Sequence, residues 1–153
     1  MRAAPHEAKA VPSSVGTPSA FQSVTRGGSV SAPLRILVVE DDVLIGMLLA
    51  DMLGEMGHVV CSIEATEANA ITAAALHKPD MMIVDVRLHV GNGISAMEHI
   101  LRTNFVPHVC VSGDVHGVLK SRPGAIVIEK PFTELMLARA IERARTTKRA
   151  AGT

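Results

Sequence analysis

Five times between residues 34 and 148 a short apolar run gives way to a segment of helical period, and no other feature restricts the fold as much. "LRILVV" (34–39) reads as a buried strand. In the following "VLIGMLLADMLGEMG" (43–57), Ile45, Leu48, Leu49, Met52, Leu53 and Met56 recur at helical spacing and Gly57 supplies the C-terminal stop. "HVVCSI" is a second strand; Thr66 caps the Ala-rich helix "EANAITAAALHK", and Pro79 and Asp80 break the chain before the strand "MMIVD". "GISAMEHILRT" then suits a helix, "VPHVCVS" a strand, "DVHGVLKS" a short helix, "AIVIE" a strand, and "TELMLARAIERARTTK" a last helix capped by Thr133. Strands that alternate with helices and are apolar throughout imply a parallel sheet covered on both faces, a doubly wound α/β domain.

Residues 1–33, rich in Ala, Ser, Gly and Pro and without a sustained period, bury too little surface to offset ordering entropy and are expected to form a disordered tail. The domain is expected over 34–148 and a frayed C-terminus over 149–153. At 153 residues with 48% hydrophobic composition, one buried core fits and a second domain does not. The formal charge of 0 excludes a global basic field for nucleic acid or anionic membrane, and the absence of Tyr and Trp argues against a base-stacking platform. No apolar run reaches membrane-spanning length and no signal-peptide core opens the chain, which points to the cytoplasm. Cys61 and Cys110 lie in β-branched runs without CxxC spacing and read as reduced, buried thiols.

Ligands of an open α/β sheet bind beyond the carboxyl ends of its strands. The first strand closes on Glu40 and Asp41, the third on Asp85, the fourth on Ser112, and the fifth on Lys130 with Pro131 behind it. Singly, Asp85 reads as a strand-end turn former, Ser112 as a satisfied core hydroxyl and Lys130 as a snorkelling surface lysine. Their joint placement changes the reading. If strands one, three, four and five are neighbours, three mutually repelling carboxylates share one crevice, and a hard divalent cation such as Mg²⁺ relieves them. Lys130 adds a positive charge that a metal alone does not need and a phosphoryl group does. Ser112 can donate to a phosphoryl oxygen, and Gly113 lets its backbone N–H approach the same group. The combination indicates phosphoryl transfer to Asp85 as nucleophile.

These segments resemble the receiver domain of two-component response regulators, of the stand-alone single-domain type. "ILVVEDD" is similar to its acidic-pair strand, "PDMMIVDVRL" to its phosphoacceptor strand, "GNG" to its glycine turn, "VCVSG" to its hydroxyl strand and "EKPF" to its lysine-proline strand. The resemblance implies a flavodoxin-like (βα)5 three-layer sandwich with strand order 2-1-3-4-5. It implies Asp85 as the phosphorylated residue, Asp41 as a direct Mg²⁺ ligand, Glu40 acting mainly through water, and the Arg87 backbone carbonyl as a further ligand. Ser112, Gly113 and Lys130 would contact the phosphoryl group, with a cis Lys130–Pro131 bond aiming the lysine inward. Asp42 falls outside this set and is expected at the positive end of the first helix. Val127 stands where receivers commonly carry Tyr or Phe, so output is expected through backbone shifts in a clipped fourth helix.

The resemblance names a sensor histidine kinase or phosphotransfer protein as phosphoryl donor and leaves the downstream protein unknown. No DNA-binding or catalytic output domain is expected after the last helix, no membrane partner is expected, and the last helices offer a surface for a homodimer. The role is therefore that of a signalling phosphoacceptor, catalysing only its own phosphoryl transfer and dephosphorylation. The alternative is a pseudo-receiver that binds partners without phosphorylation. A phosphohydrolase working through an aspartyl phosphate wants a second acid two residues beyond the nucleophile, where Arg87 stands. Two further expectations concern the rim: Arg87 and Asp114 as an ion-paired gate against water, and His89 as a loop residue outside the site.

Overall fold

The structure, a computed structural model, describes residues 31–147. The expected N-terminal tail lies outside the described residues except for 31–33, which carry no regular structure, and the expected frayed end at 149–153 lies wholly outside them. The elements run β1 (Arg35–Val39), α1 (Val43–Glu55), β2 (Val59–Glu64), α2 (Glu67–His77), β3 (Met81–Asp85), α3 (Gly93–Thr103), β4 (His108–Ser112), α4 (Val115–Ser121), β5 (Val127–Glu129) and α5 (Glu134–Arg145). All paired strands are parallel, in the order β2-β1-β3-β4-β5. The fold is the flavodoxin-like doubly wound one that alternation and resemblance predict.

Successive side chains of a strand point to opposite faces of the sheet, and here both faces are buried. Ile36, Val38, Met81, Ile83, Val109 and Val111 pack with Leu49 and Leu53 of α1 and Leu137 and Ile141 of α5. Leu37, Val39, Met82, Val84 and Cys110 pack on the other face with Ala70, Ala73 and Ala74 of α2 and Ala96, Met97 and Ile100 of α3. The buried face of α2 is built from these small alanines. Both cysteines are free, Cys110 buried and Cys61 half-buried.

Three differences from the sequence reading have physical causes. β2 is an edge strand, so Val59 (56% exposed) and Ile63 (40%) are not enclosed as an all-buried reading requires. Leu48 of the α1 stripe is 50% exposed because the helix turns it past the edge of the sheet-facing surface formed by Leu49 and Leu53. β5 is shorter than "AIVIE", since Ala125 still donates to the Arg122 carbonyl in a turn (3.0 Å) and pairing starts at Val127.

Helix ends follow local chemistry. Asp42 is the N-cap of α1, its Oδ1 accepting the Leu44 N–H at 2.9 Å and the Ile45 N–H at 3.2 Å. Thr66 and Thr133 cap α2 and α5 as expected. α1 closes through the Gly57 N–H to Gly54 carbonyl bond (3.0 Å) and the His58 N–H to Leu53 carbonyl bond (2.9 Å), with Gly57 at φ +89°. This pattern needs a left-handed residue and explains the glycine. Replacing Asp42 by Ala is expected to lower stability by about 1 kcal/mol, the usual cost of a lost N-cap, while leaving divalent-cation affinity unchanged; denaturant melts and a Mg²⁺ titration of the variant check both.

Candidate functional site

The strand register brings the candidate residues level. Val39 of β1 pairs with Val84 of β3, so the next residues, Glu40 and Asp85, end the two central strands side by side. Asp85 in turn pairs with Val111 of β4, and Ser112 pairs with Glu129 of β5, one residue before Lys130. β2, the strand that contributes no candidate, is at the edge. Glu40, Asp41, Asp85, Arg87, Ser112, Gly113 and Lys130 all line one open crevice of about 440 Å³.

Within it, Glu40, Asp85 and Ser112 are buried, at 3%, 5% and 4% exposure. One carboxylate oxygen from each of Glu40, Asp41 and Asp85 lies within 4.8 Å of the others, an all-oxygen donor set of the kind a hard divalent cation takes. Lys130 donates from Nζ to Asp85 Oδ2 at 2.6 Å and to Glu40 Oε2 at 3.5 Å. Asp85 Oδ1 accepts the Arg87 backbone N–H at 3.0 Å, and Glu40 Oε1 accepts the Asp42 N–H at 3.1 Å, so both buried carboxylates have fixed orientations. Ser112 Oγ accepts the Asp114 N–H at 2.9 Å, which leaves its hydroxyl proton for another partner. A Cβ on Gly113 would meet open space, so this glycine keeps the crevice wall low. The Lys130–Pro131 peptide is cis.

Electrostatics follow from this packing. Burial, reinforced by the hydrogen bond and charge of Asp85, pushes the Glu40 carboxyl up to about 7. Burial opposes the Lys130 ammonium, but the Asp85 hydrogen bond and the two carboxylate charges outweigh it and hold its pKa above the ordinary lysine value. His89 hydrogen bonds hold the Asp41 carboxyl below the usual range.

Two expectations at the rim need correction. Asp114 does not gate the crevice with Arg87: it is the N-cap of α4, accepting the Gly117 N–H at 2.9 Å, and among the described residues no ion pair joins it to Arg87. A residue one position before a helix finds its nearest donors in its own first turn. His89 belongs to the β3–α3 loop as expected but does not stand apart from the site, since its ring Nδ1 meets Asp41 Oδ2. Sequence reasoning also missed Glu67, which accepts the Asn92 N–H (2.9 Å) and the Ser95 hydroxyl (2.5 Å) and so anchors the loop after Asp85. A capping Thr followed by Glu was the only signal available for it.

Residues 36–142 match the response regulator receiver domain. The chain belongs to that family. Mg²⁺ binding and aspartyl phosphorylation are general features of receivers. This receiver is 35% identical over 124 residues to the transcriptional regulatory protein PdtaR of Mycobacterium tuberculosis, covering 78% of this chain and 60% of PdtaR. It is 31% identical over 114 residues to the phyllosphere-induced regulator PhyR of Methylorubrum extorquens, covering 72% of this chain and 43% of PhyR. Among solved structures it resembles the receiver domain of Erythrobacter litoralis PhyR, with a TM-score of 0.72 at 27% identity over 80% of this chain and 97% of that one. The match thus spans 60% of the length of PdtaR and 43% of that of PhyR, less than two thirds of either regulator. No helix among the described residues is long and apolar enough to cross a membrane.

Two predictions follow from the packing of this receiver's site. A Cβ on Gly93 would stand 1.9 Å from the Asp85 carbonyl oxygen. Gly93→Ala is therefore expected to destabilise the fold by roughly 1–3 kcal/mol and to displace Asp85, read as a lower denaturation midpoint and shifted amide signals around residue 85. The raised Glu40 carboxyl keeps its proton in the folded chain up to about pH 7, whereas the unfolded chain releases it near the ordinary 4.5. Without divalent cations, stability should then fall as pH rises through that window, by on the order of 1–3 kcal/mol. Denaturation in EDTA at pH 5 and pH 8 measures the slope; Glu40→Gln should flatten it.

Proposed function

We propose that this receiver accepts a phosphoryl group on Asp85 from a phosphohistidine of a sensor histidine kinase or phosphotransfer protein. A carboxylate oxygen of Asp85 bonds to phosphorus as the bond between phosphorus and the histidine nitrogen breaks, and the imidazole leaves on the donor protein. The observation that carries the reading is the 2.6 Å contact from Lys130 Nζ to Asp85 Oδ2 inside a cluster of three carboxylates. A strand-end turn former needs no ammonium, and a surface lysine needs no buried carboxylate.

Glu40, Asp41, Asp85 and the Arg87 backbone carbonyl would hold Mg²⁺, with Glu40 acting mainly through water. Bound there, Mg²⁺ supplies positive charge that offsets the carboxylates and the oxygens of the arriving group. Lys130 places its ammonium on the same oxygens, and the Ser112 hydroxyl and Gly113 N–H donate to them from the neighbouring strand end. The buried floor and the Arg87 N–H on Asp85 Oδ1 keep the nucleophile in one orientation. The phosphorylated face then changes binding to a downstream protein or to a second copy of the domain, which we take as residues 34–148.

A second reading, an interaction module that works without phosphorylation, draws its support from Val127, an aliphatic residue half-buried in β5 that has no hydroxyl or ring to reorient. One measurement separates the two. After incubation with acetyl phosphate and Mg²⁺, intact mass should show one added phosphoryl group on the wild type and none on Asp85→Asn; no adduct on the wild type would leave the interaction module as the reading.

A further inference from the structure

Besides backbone bonds at Val86 (its N–H to the Val111 carbonyl, 3.1 Å) and Val90 (its carbonyl from the Glu67 N–H, 3.3 Å), the loop from Val86 to Asn92 is tied to the rest of the domain through two side chains, Glu67 and Asp41. At its far end Glu67 holds Asn92 and Ser95, and Gly91, at φ +87°, passes Glu67 so closely that an added Cβ would lie 2.4 Å from the glutamate's own. At its middle, His89 reaches the mouth of the crevice. Its backbone N–H donates to Asp41 Oδ2 at 2.8 Å, and its ring Nδ1 meets the same oxygen. With the ring proton on Nδ1, the tautomer a carboxylate acceptor requires, both lone pairs of that oxygen are taken. Asp41 is also the most open of the three clustered carboxylates, its side chain 11% exposed against 1% for Glu40 and 6% for Asp85.

We infer that His89 is a latch on the metal site: its ring holds Asp41 to the β3–α3 loop, competes with a divalent cation for that carboxylate, and lets go when the cation binds. The inference rests on Glu40, Asp41 and Asp85 being the Mg²⁺ site. A carboxylate that already receives two donors on one oxygen offers a cation less charge, so the latch weakens binding. The side chain of His89 is 91% exposed, and exposed pairs are individually weak, so the competition is modest and a cation can win it. The same loop carries Arg87, whose carbonyl is the further proposed ligand, so release of His89 frees the segment that has to adjust around the ion. His89 is thus a positioning residue acting through Asp41.

The test is a Mg²⁺ titration of the full chain at fixed pH and ionic strength, followed by calorimetry and by the backbone amide signals of Val90 and Gly91. His89→Ala, a change on an exposed loop that leaves the fold intact, should bind Mg²⁺ roughly three- to fivefold more tightly than wild type. Its Val90 and Gly91 signals without Mg²⁺ should already lie near their Mg²⁺-bound positions. His89→Asn puts an amide N–H where Nδ1 stands and should stay within about twofold of wild type. Equal or weaker binding by His89→Ala overturns the latch while leaving the metal site standing. A wild type that binds no Mg²⁺ overturns the metal site, and the latch with it.

Discussion

Three carboxylates and one ammonium share the open end of the sheet, and the rest of the domain is arranged around that imbalance. Glu40 and Asp85 are taken almost wholly out of water, and Lys130 bonds closely to only one of them. Burying charge is costly unless it is paired. The second buried carboxylate must therefore hold a proton or share a cation, which is why Glu40 titrates near neutrality. A sheet end with this charge state gains from added positive charge, which a divalent cation among the three carboxylates would supply.

Keeping like charges together requires a rigid scaffold, and the doubly wound sheet provides it. β1 and β3 are central strands with core on both faces, so Glu40 and Asp85 have no freedom to separate. β4 and β5 bring Ser112 and Lys130 alongside, and the Lys130 N–H to Ser112 carbonyl bond (3.0 Å) keeps those two strand ends level. Gly93 then packs against the Asp85 backbone where no side chain fits. By contrast, the rim is held by a few loop contacts: His89 on Asp41, Glu67 on Asn92, the Glu67 N–H on the Val90 carbonyl (3.3 Å), and Asp114 on the first turn of the seven-residue α4. Val127 in β5 is aliphatic and offers no aromatic ring to rotate.

Most of the site was legible because the rules that place it are local or topological. Glu40, Asp41, Asp85, Ser112 and Lys130 could be picked out as strand-closing residues once five apolar runs were recognised, and parallel topology sends all strand ends the same way. Asp42, Thr66 and Thr133 were legible as helix-start residues, because a cap needs only the next three residues. The Arg87–Asp114 gate failed for the same reason: a local donor, the Gly117 N–H, was closer to Asp114 than any cation across the crevice. His89 and Glu67 were not legible. Their partners lie 48 and up to 28 residues away in sequence, and neither pairing leaves a spacing or periodicity to read.

The sequence by itself determined the doubly wound architecture, the edge of the sheet where chemistry collects, and the separation of Asp42 from the two acids before it. Each of these follows from side-chain period, chain direction or contacts within one turn. Only the tertiary structure decided that Lys130 bonds to Asp85 more closely than to Glu40, that β2 is left half-exposed at the edge, and that a histidine of the β3–α3 loop rests on Asp41. Those outcomes depend on distances between segments far apart in the chain, which are set when two faces of packed core bring the strands into register.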